Sequence, residues 1–196
     1  MNNLKDSKTK ENLMRSFAGE SQARNRYTFA ASVAKKEGYH ILDQLFTYTA
    51  NQEKAHAWQF MQRLKEFSGK NLDISASYPV EVESSTLTLL RAAEKNENAE
   101  YSEIYSDFAK IAKEEGFQPI AYLFEKIAGI ENVHSQRFAR YADQLENNTL
   151  FKKDEEVQWI CTNCGYVLEA KEAPLTCPVC QHPQGYFILF ANSNFE

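Results

Sequence analysis

The chain has 196 residues, which is enough for one domain of medium size and a small second domain. Hydrophobic residues make up 43% of the chain and charged residues 25%, which is the composition of an ordinary globular protein. The formal net charge of −5 at pH 7 gives no reason to expect a nucleic acid or an anionic membrane as a partner.

The amino-terminal residues 1–13 (MNNLKDSKTKENL) are polar and charged, and they lack the apolar core of a signal peptide. No stretch of the chain approaches the roughly 20 apolar residues that a membrane-spanning helix needs. We therefore expect a cytoplasmic protein that has no membrane partner.

Apolar residues recur with helical periodicity almost throughout residues 9–147. The predicted helices span residues 8–37, 40–67, 84–115 and 119–147. The connection over residues 68–83 is much longer than the other two and contains Gly69 and Pro79, which indicates a crossover loop. Four long helices joined in this way predict a mainly α fold, a four-helix bundle of the ferritin-like kind with one long crossover.

The bundle contains an internal repeat. Residues 34–56 (AKKEGYHILDQLFTYTANQEKAH) resemble residues 112–134 (AKEEGFQPIAYLFEKIAGIENVH) at a constant offset of 78 residues. The pairs related by this offset include Glu53/Glu131, His56/His134 and Tyr27/Tyr105. Two helix pairs related by an approximate twofold axis would turn their Glu-x-x-His motifs toward each other.

These Glu-x-x-His motifs are candidate metal ligands. Residues three apart lie on one face of a helix, so Glu53 and His56 can present two ligands to one site. A single motif of this kind also arises by accident on exposed helices, but two motifs at repeat-related positions favour ligands. A ferritin-like di-iron site also needs one carboxylate from each of the other two helices.

Carboxylates are available on both of these helices. Glu20 is the candidate on the first helix. The third helix offers Glu94, Glu97, Glu100 and Glu103 in steps of three residues. The repeat equivalent of Glu20 is Asn98, one residue from Glu97, so spacing alone leaves open which of these carboxylates point inward.

All four cysteines lie in the last 36 residues, as the pairs Cys161/Cys164 and Cys177/Cys180. In a reducing compartment, two Cys-x-x-Cys turns predict a tetrathiolate metal site rather than disulfides. Spacing alone favours zinc, because zinc is the usual metal of structural Cys₄ sites. We divide the chain into a bundle (1–147), a linker (148–156) and a small metal domain with short β-strands (157–196).

Several segments together resemble the rubrerythrin family. They are FAGESQARNRY (17–27), QEKAHA (52–57), ENAEYSEIYSDFAKIAKEEGF (97–117), CTNCGY (161–166) and CPVC (177–180). The likeness covers nearly the whole chain. It implies a di-iron centre in the bundle and a rubredoxin-like domain that holds one Fe(Cys)₄ iron rather than zinc.

The resemblance also implies a ligand set for the two irons. Its members are Glu20, Glu53, His56, Glu97, Glu100, Glu131 and His134. Glu53 and Glu131 would bridge the two ions, while Glu94 and Glu103 face solvent or lie behind the ligands.

Within this implied set, each iron has its own carboxylate ligands. Glu20 and Glu100 would serve one iron, and Glu97 with His134 would serve the other. His56 would exchange with Glu100 as the irons change their oxidation state.

The activity that the resemblance implies is the reduction of hydrogen peroxide to water. A diferrous site stores the two electrons that this reaction requires, and the Fe(Cys)₄ centre would reload it one electron at a time. We expect Glu97, or one of the tyrosines Tyr27 and Tyr105, to deliver protons. Both tyrosines are candidate donors to ligand carboxylates, and core tyrosines with other partners are the alternative.

The implied partners are an NAD(P)H-dependent reductase or a rubredoxin as electron donor, and a second copy of the chain. We expect a head-to-tail homodimer in which electrons pass between subunits. Two alternatives remain open at this point. One is a ferroxidase or iron-handling protein with a structural zinc tail, and the other is a non-catalytic binding module.

Overall fold

A computed structural model describes residues 3–193. The elements are α1 (Lys8–Lys36), α2 (His40–Arg63), α3 (Thr86–Ala99), a π-helical turn (Glu100–Ile104), α4 (Tyr105–Glu114), α5 (Gln118–Glu146), β1 (Lys152–Cys161), β2 (Val167–Glu172) and β3 (Phe187–Leu189). The π-helical turn joins α3 to α4 without a break, so the three form the third long helix of a four-helix bundle. The predicted fold class is confirmed.

The ends of the bundle helices follow from local sequence signals. Ser7 caps α1 by accepting a hydrogen bond from the Lys10 amide at 3.1 Å, and Ser85 caps α3 in the same way. At the other end of α1, Gly38 takes a φ of +84°, and the repeat-related Gly116 ends α4 with a φ of +80°. Both glycines lie in Schellman turns, which satisfy the last carbonyl groups of each helix.

Two aromatic clusters pack the interior on either side of the bundle centre. One contains Tyr27, Phe46 and Phe138, with ring centroids 5.1–6.2 Å apart. The other contains Tyr105, Phe124 and Phe60, with centroids 5.2–5.9 Å apart. The offset of 78 residues relates the tyrosines and exchanges the phenylalanines in pairs, so the repeat extends from the motifs into the core.

The carboxy-terminal part is a three-stranded antiparallel sheet in the order β2-β1-β3. Trp159 on the central strand is fully buried, and its indole N–H donates to the carbonyl of Ala170 at 3.0 Å. Phe187 and two cysteines complete this small core. Such a core is too small to hold a fold of this size by burial alone, which is why a metal site is expected beside it.

The carboxy-terminal sheet contacts the bundle at the turn between α1 and α2. The rings of His40 and Tyr186 stack with their centroids 3.9 Å apart. Gly185 lies so close to the Gly38 carbonyl that a Cβ atom there would be 1.7 Å from its oxygen. Strand β1 begins at Lys152, inside the segment that we assigned to a linker, and the division into three parts remains a prediction.

Within residues 3–193, no helix combines the length and the apolar character needed to cross a membrane.

Candidate metal centre

Six of the seven predicted bundle ligands converge near the middle of the bundle. They are Glu20 on α1, Glu53 and His56 on α2, Glu97 on α3, and Glu131 and His134 on α5. All six are buried, with 0–7% of each residue exposed. Buried carboxylates are rare unless they are paired or bind a metal, so this cluster needs a source of positive charge.

The six residues form two overlapping groups of four. One group consists of Glu20, Glu53, His56 and Glu131, and the other of Glu53, Glu97, Glu131 and His134. Within each group, one ligand atom from each residue lies within 4.8 Å of all the others. Glu53 and Glu131 belong to both groups, which is the arrangement that two adjacent ions with shared carboxylates require.

The orientation of His134 and its two neighbouring carboxylates fits a metal ion better than it fits mutual hydrogen bonding. His134 Nδ1 lies 2.8 Å from Glu131 Oε2 and 3.0 Å from Glu53 Oε1. These short distances lack hydrogen-bond alignment, and all three atoms are buried without a hydrogen-bond partner among the described residues. Ligand atoms that point at a common ion, rather than at one another, have this geometry.

The concentration of negative charge shifts the pKa values in the cluster. Burial, and then the charge of Glu131, raises the pKa of Glu20 well above its usual range. Burial, and then Glu53, raises the pKa of Glu97 to about 8. Burial alone would lower the pKa of His134, but the carboxylates of Glu131 and Glu53 outweigh it and raise the value to about 11. Divalent cations would relieve this repulsion.

Each of the two predicted tyrosines contacts a carboxylate that belongs to only one of the two ligand groups. The Tyr105 hydroxyl donates to Glu20 Oε1 at 2.5 Å, and the Tyr27 hydroxyl donates to Glu97 Oε1. Both tyrosines are 2% exposed. Of the two interpretations that the sequence left open, the structure therefore supports donors to the carboxylates of the cluster.

Glu100, the seventh predicted ligand, lies outside both groups. It is half-buried at the start of the π-helical turn, and burial, followed by the charge of Glu20, raises its pKa. His56 thus lies within 3.7 Å of Glu20 and shares its ligand group, whereas Glu100 lies near Glu20 but outside that group. Glu94 pairs with Arg91 at 3.0 Å, and Glu103 is exposed.

The crossover also packs against α1 and α3 close to the candidate centre. The motifs in the sequence did not indicate this contact. The hydroxyl of Tyr78 donates to the Arg15 carbonyl at 2.8 Å, and Glu81 accepts hydrogen bonds from Arg26 at 2.9 Å and Asn96 at 2.5 Å. The one signal in the sequence is an aromatic residue before Pro79 in an otherwise polar loop.

The four cysteines form a second candidate site. Their sulfur atoms all lie within 4.8 Å of one another, and two pairs, Cys161/Cys180 and Cys164/Cys177, are 3.7 Å apart. A tetrahedron with metal–sulfur bonds of about 2.3 Å has edges of roughly 3.8 Å, so the spacing fits a tetrahedral ion. All four cysteines are free thiols.

Backbone amides support the two cysteine turns in the same way. The N–H of Tyr166 donates to Cys164, and the N–H of His182 donates to Cys180, in each case two residues after the cysteine. The hydrogen bond from His182 contributes most to lowering the pKa of Cys180, to about 6. Such amide donors favour the thiolate form that binds a metal.

Comparison with known proteins agrees with both sites. The family model "Rubrerythrin" matches residues 11–142, and the model "Rubrerythrin, rubredoxin-like domain" matches residues 159–188. A rubrerythrin of Clostridium perfringens is 49% identical over 191 residues, which are 97% of this chain and 98% of that protein.

Two solved structures show the same likeness in three dimensions. The structure described as the partially reduced state of nigerythrin superimposes with a TM-score of 0.62 at 28% identity, covering 95% of this chain and 90% of that one. A Desulfovibrio desulfuricans bacterioferritin, described with its diiron site in different catalytic states, gives 0.65 at 26% identity, covering 72% and 82%.

The fold and the two sites define a ferritin-like di-iron protein that carries a four-cysteine metal domain. The chain belongs to the rubrerythrin family, a family of oxidoreductases. Its bundle has a di-iron site with glutamate and histidine ligands, and its carboxy-terminal domain has a rubredoxin-like four-cysteine site.

Proposed function

We propose that this protein reduces hydrogen peroxide to water at the bundle centre, with electrons relayed through its four-cysteine iron site. The observation that carries the proposal is the pair of overlapping ligand groups, which share Glu53 and Glu131 and fit two ions side by side. The ligands that we assign are Glu20, Glu53, His56, Glu97, Glu100, Glu131 and His134 in the bundle, and Cys161, Cys164, Cys177 and Cys180 in the tail.

The reaction consumes two protons and two electrons for each hydrogen peroxide molecule and releases two water molecules. When bound, two ferrous ions supply both electrons at once. The tail domain delivers electrons singly, so it must act twice in each turnover. The protein's own task is to hold the ligands, exclude competing water and bring protons to the oxygen atoms.

Glu97 and Tyr27 form the proton route in this proposal. The Tyr27 hydroxyl donates to Glu97 Oε1, so the two side chains are placed to pass a proton between them. Tyr105 and Glu20 form the equivalent pair on the opposite side. These carboxylates are therefore assigned two roles, that of metal ligand and that of proton carrier.

Glu100 is the movable ligand in this proposal. Its position in a π-helical turn supports this role, because π-helical turns are irregular in their hydrogen bonding and are frequent at functional sites. His56 Nδ1 lies 3.7 Å from Glu20 Oε2, in the ligand group that Glu100 would join. We propose that Glu100 and His56 alternate as ligands between oxidation states.

The position of the tail domain supports electron transfer between subunits. Within one chain the tail contacts the bundle at His40, about 13 residues along α2 from Glu53, which corresponds to roughly 20 Å of helix. A head-to-tail homodimer would offer the partner's tail a shorter route to this centre. A monomer with full turnover that is independent of protein concentration would contradict this arrangement.

We propose an NAD(P)H-dependent reductase or a rubredoxin as the electron donor, and a cytoplasmic location. Four cysteines gathered at one metal site, rather than paired in disulfides, suit a reducing compartment. The likeness to a bacterioferritin keeps a ferroxidase with a zinc tail as the second candidate. Metal analysis separates the two, because the peroxidase needs three irons per chain whereas the ferroxidase needs zinc in the tail.

The test is turnover of NADH with hydrogen peroxide in the presence of a suitable reductase, measured on the iron-loaded full chain. Cys180→Ser should abolish NADH turnover while the bundle still oxidises once with peroxide. Glu97→Gln should slow that single oxidation. Cys180→Ser with unchanged NADH turnover would exclude the relay.

A further inference from the structure

A cavity of about 400 Å³ lies between α1, the crossover and the π-helical turn. Glu100 and Tyr105 form part of its inner wall. The Tyr105 hydroxyl donates to Glu20, so this wall is continuous with the ligand cluster. The cavity therefore separates the candidate metal centre from the crossover on one side of the bundle.

Residues 76–79 of the crossover form the outer wall, and Tyr78 is its largest side chain. Tyr78 is 36% exposed, and its hydroxyl bonds to the Arg15 carbonyl on α1. The Ser75 carbonyl accepts a hydrogen bond from Arg15 Nε at 3.0 Å. Two hydrogen bonds with Arg15 thus tie this wall to α1, and Tyr78 and Glu100 line the same cavity.

The lining of the cavity favours an uncharged polar molecule. Arg15 pairs with Glu11 at 3.3 Å and Arg26 pairs with Glu81 at 2.9 Å, so both cations already have partners. The carboxylates of Glu100, Glu103 and Asp107 would repel an anion.

We propose that this cavity is the vestibule through which hydrogen peroxide reaches the bundle centre, and that Tyr78 sets the largest peroxide admitted. The inference rests on the proposed peroxidase function. Hydrogen peroxide is small, uncharged at neutral pH, and both donates and accepts hydrogen bonds, which matches the lining.

The first experiment compares hydrogen peroxide with tert-butyl hydroperoxide as oxidants of the reduced, iron-loaded protein. Tyr78→Ala should raise the rate with the bulky peroxide at least tenfold relative to hydrogen peroxide, and Ala99→Leu, which fills the cavity, should slow both. Tyr122→Ala, an exposed tyrosine on α5, is the matched control. An unchanged ratio in Tyr78→Ala would overturn the proposal.

A measurement that does not depend on turnover distinguishes the access route from the proposed peroxidase activity. Nitric oxide is small and uncharged, and its association with the reduced protein is followed by the absorption it gives with ferrous iron. Association should slow in Ala99→Leu and stay unchanged in Tyr122→Ala. If this holds while no variant reduces peroxide, the peroxidase proposal fails and the access route stands.

If association is the same in all variants, access lies elsewhere, for example past His56, which is 7% exposed. If only the uptake of ferrous iron by the apoprotein changes, the cavity serves metal ions instead. Either result would overturn the vestibule.

Discussion

Tyr105 on α4 donates a hydrogen bond to Glu20 on α1 across 2.5 Å in the interior of the bundle. Its repeat partner Tyr27 donates in the same way to Glu97. Each tyrosine also packs in a cluster with two buried phenylalanines. An aromatic cluster therefore flanks the metal centre on each side. In each cluster the tyrosine hydroxyl donates a hydrogen bond to a carboxylate of the centre.

The first prediction concerns these hydroxyl groups. Tyr27→Phe keeps the ring packing and removes the donor to Glu97. We expect the free energy of unfolding to fall by about 1.5–3 kcal/mol, the range for a hydrogen bond to a charged group. We also expect peroxide oxidation to slow about 100-fold if Tyr27 supplies protons. Denaturant unfolding and stopped-flow absorbance measure the two effects, and Tyr122→Phe, on the exposed face, should change neither.

The second prediction concerns the contribution of metal to stability. Ferrous iron binds the folded bundle, where four buried carboxylates otherwise repel one another, so at 100 times its Kd each bound ion should stabilise the bundle by about 2.7 kcal/mol. The corresponding rise in Tm is roughly 5–10 °C per ion for a chain of this size. Glu53→Ala should abolish the rise, whereas Glu94→Ala, at the Arg91 ion pair, should keep it. An equal rise in both variants would contradict the ligand assignment.

The third prediction concerns acid sensitivity at the start of α1. Burial would raise the pKa of Glu115, but hydrogen bonds from the Thr9 hydroxyl and from the amides of Lys8 and Thr9 outweigh it and lower the pKa. A lowered pKa in the folded state contributes stability above the unfolded value of 4.5, and this contribution is lost as the pH falls through the folded value.

Glu115→Gln should therefore destabilise the protein at pH 7, and the difference from the parent should shrink below about pH 4.5. Urea unfolding at a series of pH values measures this. The exposed neighbour offers a control, since Glu114→Gln should show little difference at any pH. A constant difference across the series would argue against the ionised carboxylate as the cause.

The fourth prediction concerns the contact between the tail and the bundle. A Cβ at residue 185 would lie 1.7 Å from the Gly38 carbonyl oxygen, which no side-chain adjustment can relieve. Gly185→Ala should release the tail from the α1–α2 turn and increase the radius of gyration in small-angle scattering, without loss of the metal–thiolate absorption. Gly129→Ala, on α5 with open space around its Cβ, should leave the scattering unchanged.

The sequence predicts the bundle and its paired motifs because both depend on regular spacing. Helical periodicity places Glu53 with His56 on one face, and the repeat extends this to Glu131 and His134. The same reasoning leaves a discrepancy of one residue on the third helix, where Asn98 rather than Glu97 aligns with Glu20.

The π-helical turn accounts for that discrepancy. Seven positions separate Glu20 from Tyr27, whereas eight separate Glu97 from Tyr105. The wider turn at residues 100–104 absorbs the additional residue and restores the tyrosine to its place beside the carboxylates. A pattern of residues at α-helical spacing does not reveal such a change of period.

The wall formed by the crossover was not predictable for a different reason. Residues 75–81 show no regular hydrophobic period. Their positions depend on hydrogen bonds with Arg15, Arg26 and Asn96, which lie on α1 and α3. Loop conformation of this kind follows from tertiary contacts rather than from local preference.

The most direct test of the account mixes the fully reduced, iron-loaded protein with stoichiometric hydrogen peroxide in the absence of oxygen. The readout is the iron–thiolate absorption of the four-cysteine site. We expect this band to return rapidly, faster with peroxide than with dioxygen, and we expect Glu97→Ala to lose the fast return. Absence of the band while the bundle still oxidises would contradict the electron relay and favour a ferroxidase with a zinc tail.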